Sequence, residues 1–328
     1  MNIFVFEHIC GGGMVGRAMS ADLPSQGLAM LEAAALDLAG TGARVTATRD
    51  HRIEHDLEGI ESRRVDPDTE VEAVFDGLAL RADTALVIAP EFNGILARWI
   101  ERLERLGVTS LGSSSRAVAL CADKLATATH LIERGIPTPP TTIFHRGACV
   151  TFPAIIKPRF GAGCENTFLC RSAPDAECLP PSTDRIVQPE IPGTAASVSF
   201  IVHGGKVAAL PPGRQMIAHT NGSPARLCYR GGSIPIEAER AARATAIARL
   251  ALSAIAGLGG FVGVDVVLGR KAEDDRVIEI NPRLTLSYTG LRRRCRTNLA
   301  AALLDPDAPI RWSDECVCFG PSGEPRHD

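Results

Sequence analysis

The chain has 328 residues and a formal net charge of −3. That length suits two or three compact domains, and the lack of any basic block disfavours nucleic acid as a partner. No apolar run reaches 18 residues and the N-terminus starts on a strand-like segment, so neither a membrane span nor a secretory leader is expected, and a cytoplasmic chain is. The 10 cysteines are irregularly spaced with no C-x-x-C pair, which reads as reduced, mostly buried thiols.

The first third alternates strand and helix. Residues 2–7 (NIFVFE) predict a strand, 24–40 a helix, 43–50 a strand, 68–82 a helix, 84–91 a strand, 94–107 a helix and 108–112 a short strand. Short apolar runs separated by helices imply a parallel sheet covered on both faces, an α/β domain over residues 1–113. After the first strand comes FEHICGGGMVGR, in which Gly11, Gly13 and Gly16 spell G-x-G-x-x-G. Asp50, ending the second strand, sits where a ribose-binding acid would, so an NAD-dependent oxidoreductase is one open reading. It requires a helix to start at the glycines and hold pyrophosphate. Instead, Pro24 marks a helix that begins about ten residues late. Gly11, Gly12 and Gly13 are therefore expected to form a substrate-side wall at the carboxyl end of the first strand, with Glu7 as a polar contact.

Residues 114–144 predict one or two helices, closed by Gly135 and by Pro137, Pro139 and Pro140. Residues 152–170, 184–193 and 196–210 are β-rich. A long helix follows at 237–259, then strands at 260–269 and 276–285. This is α+β in two lobes divided near 188–193, giving units at 114–190 and 191–306. The remainder, 307–328, has the composition of a loosely ordered tail.

Asp265 lies in FVGVDVVL and Glu279 in RVIEINP. A lone carboxylate in a buried strand is costly, but a hairpin would bring these two together, with Asn281 on the same face as Glu279. Two carboxylates and an amide oxygen suit Mg²⁺, with Mn²⁺ also accommodated. The plainer alternative is that each acid meets solvent or an arginine. Lys157 ends an apolar strand ahead of Gly161 and Gly163, a way to clamp phosphates with an ammonium and loop N–H groups. It is not a Walker A pattern, and an ordinary hairpin with an exposed lysine would look the same. Lys124, on CADKLATATHL, is a second phosphate lysine or a solvated residue. Only Lys124, Lys157, Lys206 and Lys271 are lysines among 35 basic residues. Where lysine persists, a compact ammonium is the group that guanidinium cannot replace.

The order helix-lysine, strand-lysine, glycine loop, IVQPEIPG, long helix, VDVVL and IEINPR resembles the ATP-grasp superfamily of carboxylate–amine ligases over about residues 114–300. The resemblance implies an α/β pre-ATP-grasp domain followed by a two-lobed α+β ATP-grasp fold. It implies ATP-dependent amide formation through an acyl phosphate, with ATP and Mg²⁺ bound. Lys124 and Lys157 would contact the ATP phosphates, and Gly161 to Gly163 would form the flap. Gln188, Glu190 and Ile191 would meet adenine; Asp265, Glu279 and Asn281 would hold the metal. Arg283, Lys157 and Arg214 are the expected catalytic side chains. Pro189 and the stretch GTAASVSF depart from the superfamily pattern, where acidic residues are common.

FEHICGGG, LPSQGLAML, GRQMI, YRGGSIP and INPRLTLSY together resemble a narrower group, the glutamate–tyramine ligases of methanofuran biosynthesis and their methylofuran relatives. That implies small-molecule amino-acid and amine substrates, with a homodimer left open. Arg214, Gln215 and Arg283 would bind glutamate carboxylates, and Tyr288, Gly231 and Gly232 would shape the amine pocket. RRRCR, Arg292 to Arg296, either steers anions or is a solvated helix segment. A nucleotide-binding regulator without turnover is the other open reading.

Overall fold

The structure, a computed structural model, describes residues 1–19, 22–182 and 184–326. Ile3, Phe4, Val5 and Phe6 are all buried, which places β1 (Asn2–Glu7) in the middle of a sheet covered on both sides. The other strands are β2 (Arg44–Asp50), β3 (Glu61–Val65), β4 (Thr84–Ile88) and β5 (Thr109–Ser110). All run parallel, in the order β3–β2–β1–β4–β5. Ile3 and Val5 pack with Leu31, Ala34 and Leu38 of α1 (Asp22–Ala39). Phe4 and Phe6 pack on the other side with Phe75 of α2 (Val71–Ala79) and Trp99 and Leu103 of α3 (Ile95–Leu106). Pro24 sits in the first turn of α1, as expected. In this sheet, the strand that sequence patterning does not reveal is β3. Its residues, ESRRV, are mostly exposed at the sheet edge, so no apolar alternation marks it.

A break at Asp123 makes two helices of the next segment, α4 (Ser115–Ala122) and α5 (Lys124–Glu133). The Asp123 carboxylate accepts from the backbone N–H groups of Leu125 and Ala126, both at 3.1 Å, and so caps α5. The first lobe then holds β6 (Thr142–Phe144), β7 (Ala154–Pro158), β8 (Phe168–Cys170), α6 (Ala173–Glu177) and β9 (Arg185–Pro189), paired β8–β7–β9–β6. The second holds β10 (Thr194–His203), β11 (Lys206–Ala209), β12 (Gly213–His219), β13 (Ala225–Ile234), α7 (Ala238–Ser253), β14 (Gly260–Leu268) and β15 (Arg276–Asn281). These strands are antiparallel in the order β15–β14–β10–β12–β13, with β11 on β10. The start of β13 also pairs with β8, so one strand carries hydrogen bonding from lobe to lobe. Ala244, Ile247, Ala248 and Ala251 of α7 pack against Val262, Val264 and Ile280. Among the described residues, no helix is long and apolar enough to cross a membrane.

The C-terminal segment is not loose. After α8 (Ser287–Arg294) and α9 (Ala301–Leu304), β16 (Val317–Phe319) pairs with β13 and with β17 (Pro325–Arg326), and Phe319 is 2% exposed. Gly231 and Gly232 allow this closure. A Cβ on Gly231 would fall 1.9 Å from the Phe319 carbonyl oxygen, and one on Gly232 would lie 2.9 Å from the Phe319 ring. Both glycines are covered by β16 and do not line an amine pocket. The RRRCR run clamps the structure. Arg292 makes a bidentate pair with Asp37 of α1, Arg293 donates to the Gly323 carbonyl, and Arg294 donates to that of Glu315 at 3.0 Å.

Candidate active site

The β14–β15 hairpin places Asp265 directly opposite Glu279 and Gly263 opposite Asn281. Asn281 Nδ2 donates to Asp265 Oδ2 at 3.1 Å, and Gln215 Nε2, from β12, donates to Oδ1 at 2.9 Å. Burial pushes the Asp265 carboxyl up to about 6, and the facing charge of Glu279 adds to the effect. Two facing carboxylates destabilise each other, and a divalent cation relieves that repulsion. The donor set, all hard oxygens with Asn281 Oδ1 turned away from Asp265, fits Mg²⁺ with remaining positions for phosphate.

The lysines arrive from the first lobe. Asp123 makes a bidentate pair with Arg159, 2.7 and 2.5 Å, which staples the start of α5 to the end of β7. Lys124 and Lys157 are thereby side by side and buried, at 8% and 6% exposure. Lys124 Nζ lies 3.2 Å from Glu279 Oε1 and donates to the Gly161 carbonyl at 2.6 Å. Burial lowers the Lys157 pKa, Glu279 opposes this, and Lys124 adds to it. The loop from Gly161 to Asn166 curls back through left-handed residues at Gly163, Cys164 and Asn166. Cys164 comes close enough for burial to push its thiol up to about 12, with Glu279 and Asp265 contributing.

The expected residues do not all converge. Arg283 is engaged by Glu91, with Nε to Oε1 at 2.7 Å and Nη2 to Oε2 at 2.8 Å, and its Nη1 donates to the Leu284 carbonyl. Its charge still acts on Asp265. Gln215 holds Asp265 through its amide nitrogen, which commits one of its two N–H donors. Arg214 is its neighbour in β12, so it faces the other side of the strand, where it is exposed. Gln188 is buried and donates to Thr141 Oγ1 at 2.8 Å, while Glu190 and Ile191 are half-buried between β9 and β10.

Of the chain's two tyrosines, Tyr288 is fully buried and donates to Asp37 Oδ2 at 2.8 Å. Tyr229 is the one beside the acids: burial raises its hydroxyl pKa, and Asp265 and Cys164 add to the rise. Glu91, Tyr229, Cys164 and Ser197, whose side chain hydrogen-bonds Asp265, are neighbours of the site that sequence reasoning missed. YRGGSIP contains Tyr229, but only the β12–β13 pairing reveals its position.

The N-terminal glycines serve packing. A Cβ on Gly11 would lie 2.3 Å from the Glu7 carbonyl oxygen, and one on Gly12, at φ +100°, 2.7 Å from Val65. Both are buried, so they cannot present a wall to a substrate. Asp50 is buried and bound by Arg52 at 2.8 and 2.7 Å, and Arg52 also donates to the carbonyls of Met14 and Arg17. The acid that mimics a ribose ligand instead anchors the loop.

Glu7 is also buried, accepting from the Cys10 N–H at 2.6 Å, and desolvation pushes its carboxyl from 4.5 to about 7. A carboxyl raised in the folded state favours folding while protonated, so stability falls as pH rises through 4.5 to 7. Glu7→Gln removes that dependence. Its melting temperature should match the parent near pH 4.5 and exceed it at pH 8, by at most about 3 kcal/mol of stability. A variant less stable at pH 8 would show that the carboxylate has a compensating partner.

The ATP-grasp domain family matches residues 121–287, just over half of the chain, and the pre ATP-grasp 3 domain family matches residues 43–118. The chain belongs to the ATP-grasp family. ATP-grasp proteins use ATP with Mg²⁺, and this chain is an ATP-dependent ligase of that family. The chain is 29% identical over 240 residues to the tyramine–L-glutamate ligase of Methanocaldococcus fervens, covering 72% of each. An ATP-grasp superfamily structure from Archaeoglobus fulgidus aligns with a TM-score of 0.73 at 25% identity, covering 97% of this chain and 92% of the other. The L-amino acid ligase of Bacillus licheniformis shares the ATP-grasp fold, with a TM-score of 0.69 at 17% identity over 99% and 77% of the two chains. The expected pre-ATP-grasp parallel sheet and the ATP-grasp lobes are both present.

Proposed function

We propose that this ATP-grasp protein joins L-glutamate to tyramine or tyrosine, forming an amide through an acyl phosphate. One observation carries the ligase chemistry: Lys124 and Lys157 of one lobe converge on Asp265, Glu279 and Asn281 of the other. The substrates follow from the likeness to the tyramine–L-glutamate ligase. In this reading the domains divide at 113, 190 and 306.

Lys124 and Lys157 bind the ATP phosphates and Gly161 to Gly163 cover them, while Gln188, Glu190 and Ile191 border adenine. Asp265, Glu279 and Asn281 hold Mg²⁺, which when bound neutralises charge on the transferring phosphoryl group. Gln215 and Asn281 orient Asp265 through its two oxygens. Arg283, fixed by Glu91, adds positive potential on the same side. A glutamate carboxylate oxygen attacks the γ-phosphorus and ADP leaves. The amine then attacks the acyl carbon, loses a proton, and phosphate departs. No enzyme nucleophile is needed, so much of the work is alignment and charge stabilisation.

The test is ADP release over a panel of acids and amines. Release that requires both glutamate and tyramine or tyrosine is the expected result. Release that depends on a different acid or a different amine would overturn the assignment of glutamate and tyramine or tyrosine.

A further inference from the structure

Arg159 takes no part in the ligase steps above, yet Lys157 lies two residues before it and Gly161 two residues after. An arginine at that place is a natural partner for nucleotide phosphate. Its guanidinium is committed elsewhere. Nε donates to Asp123 Oδ1 at 2.7 Å and Nη2 to Oδ2 at 2.5 Å, so the carboxylate fills the planar fork. The guanidinium carbon also stands over the Phe160 ring, 5.3 Å from its centroid.

The backbone closes a ring around this pair. Lys124 N–H donates to the Arg159 carbonyl at 3.2 Å, and Lys124 Nζ donates to the Gly161 carbonyl at 2.6 Å. Arg159 N–H donates to the Asp184 carbonyl at 2.8 Å, which fixes the same residue to the start of β9. Asp123 Oδ1 also caps α5 through the N–H groups of Leu125 and Ala126. One carboxylate thus ties the start of α5 to the end of β7. It thereby sets the separation of Lys124, which directly follows Asp123, from Lys157. The first glycine of the loop is held by the same ring. The two side chains are 14% and 31% exposed, so solvent screens the pair only in part.

We infer that the Asp123–Arg159 pair is a positioning device for nucleotide phosphate, holding Lys124, Lys157 and Gly161 at the required spacing without touching the phosphates itself. The inference rests on the assignment of both lysines to ATP phosphate and adds what sets their spacing. Two consequences separate this role from a direct contact. Asp123 is an acid next to a phosphate lysine, so by charge alone Asp123→Asn would tighten ATP, whereas lost positioning weakens it. Lysine at position 159 keeps the charge but not the fork, so it does not restore the pair.

The test titrates the full-length protein with ATP and Mg²⁺, and separately with adenosine, which has no phosphate. The variants are Asp123→Asn, Arg159→Lys, the two combined, and Lys124→Met. Asparagine caps a helix as well as aspartate does, so α5 keeps its start. Each single variant of the pair should weaken ATP about tenfold or more, as loss of a charged hydrogen bond does, and leave adenosine unchanged. The combined variant should weaken ATP no further than either single one, because both break the same link. If Asp123→Asn melts below the assay temperature, Arg159→Lys carries the comparison. Lys124→Met separates the two readings. ATP binding unchanged by Lys124→Met would remove the phosphate assignment, and the positioning role with it. ATP weakened by Lys124→Met but unchanged or tightened by Asp123→Asn would overturn the positioning role alone. Equal weakening of ATP and adenosine would show a general loss of structure and would overturn it too.

Discussion

Glu279→Gln is expected to lower kcat by roughly 10³-fold or more while the protein stays folded. Glu279 faces Asp265 across the hairpin and meets Lys124 at 3.2 Å, so it links the acids to the phosphate lysines. Glutamine keeps its shape but halves the negative charge that holds the cation. The loss should appear as weakened Mg²⁺ binding in calorimetry with ATP present, as well as in turnover. Stability should change little, because removing repulsion against Asp265 offsets the loss of the Lys124 contact. Unchanged turnover would remove Glu279 from the site.

Glu91→Gln should have the largest effect on stability. Glu91 and Arg283 are 192 positions apart in the chain, and their side chains are only 4% and 11% exposed. Glutamine keeps one acceptor oxygen but loses the charge that neutralises the buried guanidinium, and breaking a buried pair in this way costs about 3–5 kcal/mol. A fall in melting temperature of about 10 °C is expected, along with loss of ligase activity as Arg283 re-aims. The double variant Glu91→Gln/Arg283→Met should regain much of the stability without the activity. A single variant that melts with the parent would show the pair to be dispensable.

Sequence patterning reveals elements whose signal is local. The apolar runs of β1, β4 and β14 are strands because burial on both faces demands them. Asp265 and Glu279 stand out for the same reason: acids inside such runs need a purpose. The polar edge strand β3 has no such signal, and the β16 pairing depends on a distant strand that two glycines leave open. Side-chain partners far apart in the chain are equally hidden. Tyr288 and Tyr229 are indistinguishable by type, yet one meets Asp37 in the core and the other borders Asp265. The G-x-G-x-x-G match is legible as a motif, but the clashes at Gly11, Gly12 and Gly13 give it a packing explanation.

The acyl-phosphate route is tested most directly by following oxygen. With glutamate labelled by ¹⁸O in its carboxyl groups, attack on the γ-phosphorus makes one carboxylate oxygen the bridge, and that oxygen leaves with phosphate when the amine displaces it. Single-turnover reaction with ATP, Mg²⁺ and tyramine or tyrosine should therefore release phosphate carrying one ¹⁸O per amide formed. Amide formation with unlabelled phosphate would contradict the acyl phosphate.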